Sequence, residues 1–559
     1  MPASPDTLPG LLERWGRERP HELAYRFRPH SGDPTEHSFG SLRERARQVA
    51  SALRARVGPG DRVLLLEPPG LRFLELFFGI MGAGAVAVPL APPRAPRNLS
   101  RVAAAARVSR ARWAVGPHAD ALSDLGVEAW IPSNPSSDPA LALEADPAGL
   151  AFLQFTSGST GTPRGVALGH RQVLHNLGQI SEAFAFDDET VVAGWLPLQH
   201  DMGLIGNVLG PMFVGRPCHL MPPESFLMRP GKWLSMVSEV GATVSGGPDF
   251  AWAHCVEHVR ERELTNFDFS SWRVAFSGAE PVRPSTLGRF VERFASVGFR
   301  RSAFLPCYGL AEATLLVASG SVTRDPQVAR FDAEALASGR LKEESPESQR
   351  ALRALVGHGG PHGGQQISIV GAEGHPCRDG EIGEIWVAGE SVAGAYFEDD
   401  PATAATFGAG LAVEPGPGRY LRTGDLGAWW RGELYVTGRT KDLIIVGGKN
   451  VYPQDVEAWV VSSHPDLRAS AVFGMEIDDV ERVVAVAEVE RRALRHLDVA
   501  EIGRRARETL FREEGLALHD LVLLRPGAIP RTTSGKVQRR ACRSAYESGG
   551  FHGLEGGSK

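Results

Sequence analysis

Between Ser41 and Arg56 the chain reads SLRERARQVASALRAR, with Leu42, Ala46, Val49, Ala50 and Leu53 recurring every three or four residues. That period lines them along one face of a helix, and Ser41 with Glu44 has the spacing of a capping box at its start. The pattern then changes. DRVLLLEPPG, from Asp61, holds a short continuous apolar run closed by Pro68, which suits a strand covered on both faces. A helix over Leu71–Met81, a strand in AVAVPL and another in ARWAVG continue a β-α-β alternation, which predicts a mostly parallel sheet. The most apolar stretch, Leu76–Val88, is 13 residues long and carries three glycines. A bilayer span needs about 20 residues, so this reads as a buried helix running into a buried strand, and no transmembrane segment is expected.

Residues 131–149, IPSNPSSDPALALEADPAG, form a Pro/Ser/Asp connector, and a strand is expected over Leu150–Phe155. Residues 321–366 are charged and read as partly helical inserted material. Beyond residue 440 the pattern restarts: a strand in DLIIVGG, a helix in PQDVEAWVVSS, strands in RASAVFGM and RVVAVAEV, then a basic helix. The expected architecture is α/β: a large N-terminal core over 1–440 with mostly parallel sheets, then a smaller α+β domain over 441–559.

Composition narrows the function classes. A chain of 559 residues exceeds one hydrophobic core. A net charge of −6 argues against a nucleic-acid binder. Five cysteines lie far apart without a CxxC, which argues against a disulfide framework or zinc site and fits a reducing compartment. The N-terminus MPASPDTLPGLLERWGRERP lacks the apolar core of a secretory signal, so a cytoplasmic location is expected. Six lysines stand against 54 arginines. A guanidinium cannot copy a compact ammonium, so Lys441, Lys449 and Lys536 draw notice.

The chemistry begins in LQFTSGSTGTPRGVALGH, residues 153–170. Thr156, Ser157, Gly158, Ser159, Thr160 and Gly161 offer glycine backbone N–H groups that can point inward as an anion nest, hydroxyls that add donors, and a cation just beyond at Arg164. The spacing is neither that of a Walker loop nor that of a GxSxG nucleophile elbow.

FTSGSTGTPRGV resembles the phosphate loop of the adenylate-forming superfamily, which includes acyl- and aryl-CoA ligases, luciferases and nonribosomal adenylation domains. YGLAEATL from Tyr308, GEIWVAG from Gly383, YLRTGDLG from Tyr420, GRTKDLIIVGGKNVYPQDVE from Gly438 and IPRTTSGKVQRR from Ile529 follow in the family's order, spanning about 390 residues. WLPLQHDMGLIG from Trp195, SGAEPVR from Ser277 and NVYPQDVE resemble the fatty acyl-AMP ligase branch, as does the extra segment ahead of GEIWV. Three positions depart from the pattern: Arg164 stands for a usual Lys, Asp249 for an expected Asn, and AGAYF for a GYW-like ending.

The resemblance implies a two-step enzyme. A fatty acid would be activated with ATP and Mg²⁺ to an acyl adenylate and pyrophosphate, then passed to the phosphopantetheine thiol of a carrier protein. No GxDSL-type serine follows residue 540, so a separate acyl carrier protein, or the carrier domain of a polyketide or nonribosomal synthase, is expected. The alternative is a fatty acyl-CoA ligase. In the resembling branch the insertion restrains the C-terminal domain and disfavours CoA.

The implied roles fall as follows. Lys536 bridges carboxylate and phosphate. Glu312 holds Mg²⁺. Tyr308, followed by Gly309, Leu310 and Ala311, stacks on adenine, with Gly278, Ala279 and Glu280 as the facing wall. Asp425 accepts from the ribose hydroxyls, and Arg439 makes a second ribose or phosphate contact. Lys441 is the hinge. His200 positions or polarises the carboxylate, and Trp195, Met202, Gly246, Gly247 and Phe250 form the acyl pocket. Such chemistry makes physical sense: two anions must meet, so positioning and charge neutralisation dominate.

Overall fold

The structure is a computed structural model that describes residues 5–93, 99–130, 141–156, 163–348, 350–413, 418–446, 449–477, 480–532 and 535–554. The chain divides into two units. Unit 1 comprises Met1–Gln327, Val356–Ser368 and Trp386–Thr423; unit 2 comprises Val328–Leu355, Ile369–Ile385 and Gly424–Lys559. This differs from a division at 440/441, and packing is the reason. Ala329, Phe331, Leu336 and Leu341 of the inserted segment share one buried cluster with Ala428, Tyr435 and Tyr452, so the insert belongs to the second core.

Unit 1 contains two large sheets. The first joins β1 (Leu23–Phe27) and β2 (Thr35–Ser38) to strands from further along the chain. The second is built from β3 (Arg62–Leu65), β4 (Val86–Pro89), β5 (Trp113–Val115), β6 (Glu128–Trp130), β7 (Leu150–Thr156) and β8 (Arg164–Gly169), in the order β6-β5-β3-β4-β7-β8. Every neighbouring pair in it is parallel except β7 with β8. Leu64, Leu65, Ala87 and Val88 are fully buried, as a sheet covered on both faces requires.

The helix anticipated near Ser41 runs over Phe39–Arg54. Its cap is Ser38, whose side chain accepts from the N–H of Ser41, so the expected Ser41/Glu44 box lies one turn too late. Leu42, Ala46, Ala50 and Leu53 are buried as the period demands, and Val49 packs against Gly79 of the helix Leu71–Gly82.

The first sheet is completed by β9 (Val192–Gly194), β10 (Cys218–Leu220), β11 (Val244–Gly247), β12 (Val274–Ser277), β13 (Phe304–Gly309) and β14 (Leu316–Ser319), in the order β14-β13-β12-β11-β9-β10-β1-β2. Its interior pairs are parallel, with β14 and β2 as antiparallel edges. Beneath it Trp233, Trp252, Trp272 and Phe290 are fully buried and meet mostly tilted or edge-on. Each such side chain contributes about 1.5–3 kcal/mol by burial, which makes this the stiff floor under the strand ends.

In unit 2, β15 (Val328–Asp332) pairs with β16 (Leu352–Val356). The chain passes between the units inside β17 (Gln366–Val370), β18 (Gly383–Ala388) and β19 (Leu421–Trp430), and β19 pairs with β20 (Glu433–Arg439). A short hairpin follows, β21 (Ile444–Val446) with β22 (Lys449–Val451). Then β23 (Leu467–Ile477), β24 (Val480–Val489) and β25 (Leu518–Leu524) form a three-stranded sheet. One face packs Val472, Val483 and Ala485 against Val456 and Val460 of the helix Pro453–Ser462 and Ile502, Ala506 and Leu510 of the helix Val499–Glu514. The other face packs Phe473, Val484 and Val486 against Ile529 and Cys542. The fold class is the expected one: α/β with large, mostly parallel sheets and a smaller α+β unit.

Candidate active site

The residues singled out in unit 1 follow the carboxyl ends of adjacent parallel strands. β9 ends at Gly194, and Trp195, His200 and Met202 come next. β11 ends in Gly246 and Gly247, ahead of Phe250. β12 ends at Ser277, ahead of Gly278, Ala279 and Glu280, and β13 carries Tyr308 and Gly309 at its own end. In the sheet these strands lie side by side as β13-β12-β11-β9. Ligand sites in parallel α/β sheets form at such ends, where loops diverge above a rigid floor.

Several details show how tightly the loops are held. Ala279 has φ +68°, a left-handed conformation that a side chain rarely adopts. A Cβ on Gly278 would lie 2.6 Å from the carbonyl oxygen of Cys307, so the SGAE loop runs directly against β13. A Cβ on Gly309 would fall 1.7 Å from the carbonyl oxygen of Leu315, leaving glycine as the residue that fits. Leu310 and Ala311 lead into Glu312, which sits in a short 3₁₀ turn over Ala311–Ala313. Just beyond, Thr314 has φ +70° and ψ −68°, and the N–H of Leu315 donates to the carbonyl of Ala313 at 2.9 Å. This is a γ-turn of the rare strained form, placed on a β-branched residue two positions past Glu312. The Thr314 hydroxyl, fully buried, donates to the carbonyl of Ser391 at 2.6 Å and locks it.

β7 and β8, which flank the segment expected to bind phosphate, pair antiparallel, with Thr156 directly opposite Arg164. Ser157, Gly158, Ser159, Thr160 and Gly161 lie outside the described residues. Arg164 lies 3.3 Å from the carboxylate of Asp399, with its guanidinium 5.3 Å from the ring centre of Tyr396.

His200 Nδ1 lies 2.5 Å from Asp201 Oδ1, and that carboxylate also accepts from the N–H of Met202. Met202 opens a π-helical segment, Met202–Leu209, a wide-turned form that recurs at functional sites. The turn bearing His200 is tied to β7 by buried Gln154, whose amide donates to the carbonyl of Gln199 at 2.9 Å.

Gly246 and Gly247 of the expected acyl pocket are closely packed. A Cβ on Gly246 would meet the carbonyl oxygen of Phe276 at 2.2 Å, and one on Gly247 would meet the Trp195 ring at 2.8 Å. Trp195 itself is buried and stacks on Phe226, ring centres 3.8 Å apart. Phe250 is held by Glu280, whose carboxylate accepts from its backbone N–H at 2.6 Å. Glu280 thus fastens the helix Asp249–His258 as well as standing in the SGAE wall.

Asp249, at the start of that helix, is 1% exposed. It accepts from the N–H of Arg283 and the hydroxyl of Thr286. Burial pushes its carboxyl up to about 6 in spite of these donors, with Glu280 adding to the rise. An acid raised on folding binds more protons folded than unfolded. Its contribution is therefore fully present below about pH 4 and is lost as pH rises through about 6. Asp249→Asn should remove that loss. In denaturant unfolding the variant should gain about 2–3 kcal/mol on wild type at pH 8 relative to their difference at pH 4. A gap that does not change with pH would contradict this account.

Unit 2 carries the remaining residues. Asp425 and Arg439 are partners in register on β19 and β20, and the Arg439 Nε donates to Asp425 at 2.8 Å, so the two expected ribose contacts form one ion pair. Gly424 beside them has φ +70° and donates its N–H to Glu384. Lys441 is exposed in the turn after β20. Lys536 lies in a turn in which Thr532 N–H donates to its carbonyl and its own N–H donates to the Thr532 hydroxyl, with Gly535 at φ +89°.

Among the described residues no three His, Cys, Asp or Glu side chains gather as a metal cage. Glu312 alone fits a different use. Mg²⁺ keeps several waters, takes one or two carboxylates and draws its other oxygens from substrate phosphates.

Motif reading passed over three residues: Gln154, Tyr396 and Arg539. Tyr396 stood in the AGAYF segment noted only as a departure, and Arg539 in the GKVQRR run valued for its lysine. Only partners brought from afar distinguish them.

Loops that follow adjacent parallel strand ends, with the sequence signals they carry, mark an α/β enzyme. The model of the AMP-binding enzyme family matches residues 12–397. The chain is 39% identical to the medium-chain-fatty-acid–[acyl-carrier-protein] ligase JamA of Moorena producens, over 92% of this chain and 90% of that ligase. It is 34% identical to the long-chain-fatty-acid–AMP ligase FadD26 of Mycobacterium marinum, over 99% and 100%. The crystal structure of a fatty acid AMP ligase from Legionella pneumophila superposes with a TM-score of 0.77 at 34% identity, covering 99% of this chain and 97% of that one. The chain belongs to the AMP-binding family, in its fatty acyl-AMP ligase branch, and is an AMP-forming, ATP-dependent ligase.

Proposed function

We propose that this ligase joins a fatty acid carboxylate to the α-phosphorus of ATP, releasing pyrophosphate, and then passes the acyl group to the phosphopantetheine thiol of a separate carrier protein, releasing AMP. In the first step a carboxylate oxygen forms the new P–O bond as the bond to pyrophosphate breaks. In the second the thiol sulfur takes the acyl carbon and the adenylate oxygen leaves with its electron pair. Arg164 and the hairpin loop bind phosphate, Tyr308 and the SGAE wall take the adenine, and Asp425 with Arg439 takes the ribose. Lys536 neutralises charge where carboxylate and α-phosphate meet. Glu312, together with the nucleotide, would hold Mg²⁺, which would supply charge neutralisation when bound. His200 orients the carboxylate, and Lys441 is the hinge between the two steps.

The choice of a carrier protein over CoA is supported by the inserted segment. It leaves unit 1 at Gln327, returns at Val356, and contributes Phe331, Leu336 and Leu341 to the core of unit 2. Arg353 pairs with Asp455 and lies 4.6 Å over the ring of Trp459. In the resembling branch such an insertion goes with a carrier protein rather than CoA as acceptor, and here the insertion is built into the core of unit 2.

Pyrophosphate exchange across a fatty-acid length series, followed by acyl transfer to CoA and to a holo carrier protein, tests the reading. Transfer to the carrier should exceed transfer to CoA by at least about tenfold, equivalent to roughly 1.4 kcal/mol. Equal efficiency with CoA would make the chain an acyl-CoA ligase instead.

A further inference from the structure

We propose that Tyr396 is a positioning residue: its hydroxyl holds the Glu312 carboxylate, and its ring carries Arg164, so that one side chain aligns the metal-binding acid with the phosphate-loop cation. The inference rests on the role proposed above for Glu312.

Tyr396 belongs to a seven-residue strap, Ser391–Phe397, that is fastened at both ends within unit 1. At one end it joins β8. Ala167 N–H donates to the carbonyl of Ala395 at 3.1 Å, Phe397 N–H donates to the carbonyl of Gly165 at 2.7 Å, and Val166 and Tyr396 form an antiparallel bridge. At the other end it joins the turn after β13. Ala393 N–H donates to the carbonyl of Glu312 at 2.8 Å, and the Thr314 hydroxyl donates to the carbonyl of Ser391 at 2.6 Å.

Between these anchors the Tyr396 hydroxyl donates to Glu312 Oε1 at 2.7 Å, while the Arg164 guanidinium lies 5.3 Å from the centre of its ring. Tyr396 is 6% exposed, and its own N–H donates to the Thr403 hydroxyl at 3.0 Å, which fixes the ring's root.

The arrangement has a plain purpose. β8 and β13 belong to different sheets, so nothing in either sheet sets the distance from Arg164 to Glu312. A rigid aromatic side chain sets it with few rotatable bonds. A donor on one carboxylate oxygen also fixes the direction of the other, as outer-shell partners do for metal ligands generally.

The test uses the full-length enzyme with Mn²⁺ and a non-hydrolysable ATP analogue, reading free Mn²⁺ by electron paramagnetic resonance. Tyr396→Phe keeps the ring and removes one oxygen. It should weaken Mn²⁺ binding about tenfold. In pyrophosphate exchange it should raise the Mg²⁺ requirement by a similar factor while the fatty acid KM stays within about twofold. In a Glu312→Gln background the same change should add almost nothing, since Tyr396 acts through that carboxylate.

If Glu312→Gln leaves Mn²⁺ affinity at the wild-type value, the metal role of Glu312 is wrong. If Glu312→Gln weakens it but Tyr396→Phe matches wild type, that role stands and the proposal for Tyr396 is overturned. Additive effects in the double variant overturn it too. Thr403→Val displaces the phenol without altering it. That variant should weaken Mn²⁺ binding about threefold, and keeps the question decidable if Tyr396→Phe does not fold; wild-type affinity in it would count against the proposal.

Discussion

Lys536→Ala should lower fatty-acid-dependent pyrophosphate exchange by on the order of 10³-fold, while acyl transfer from supplied acyl adenylate stays within a few fold of wild type. The adenylation transition state brings a carboxylate against a phosphoryl group that is already anionic. A compact ammonium at that junction offsets charge on both. The turn that carries Lys536 is held by its backbone, through the Thr532 amide and hydroxyl and the left-handed Gly535, so removing the ammonium leaves the turn intact. Lys536→Arg should recover little, because a planar guanidinium does not reproduce a point charge on a flexible stem. An equal fall in both half-reactions, with melting unchanged, would refute the role.

Arg539→Ala should destabilise unit 2 by about 3–5 kcal/mol in denaturant unfolding. The guanidinium grips Glu457 through two bonds, Nε to Oε1 at 2.7 Å and Nη2 to Oε2 at 2.8 Å, and reaches Asp442 at 3.1 Å. Burial alone would lower its proton affinity, but the charge and hydrogen bonds of Glu457, then Asp442, raise it on balance. Without the arginine, two carboxylates face each other, and Glu457 is only 7% exposed. Glu457 also accepts from the N–H of Val472 on β23, so the loss reaches the sheet. Arg539→Met with Glu457→Gln should restore most of the lost stability, because it removes the unpaired charge along with the pair. A single-variant loss below about 1 kcal/mol would show that solvent screens the site. Asp442 follows Lys441, the proposed hinge, and Lys536 lies three residues before Arg539, so this anchor joins the segments that carry both lysines.

The sequence by itself determined the reaction class and much of the scaffold. Small residues and glycines in the order Thr156 to Gly161, one of only six lysines at position 536 in an arginine-rich chain, and apolar runs of the β3 and β4 kind are local statements. Helix periods and backbone freedom act over a few residues, so a linear reading captures them. The helix Phe39–Arg54 was legible in its buried face and missed by one turn in its cap, since Ser38 and Ser41 are both competent caps and packing chose between them.

Only the tertiary structure decided the rest. It placed the inserted segment in unit 2, because Phe331 and Tyr452 share one core although 121 residues apart in number. It filled the space beside Gly246 and Gly247 with Phe276 and Trp195, paired Asp425 with Arg439, and seated Tyr396 between Glu312 and Arg164. The physical reason is common to all four. Burial, cation–ring contact and charge pairing depend on distance in space, and residues distant along the chain meet only after the strands have chosen their neighbours.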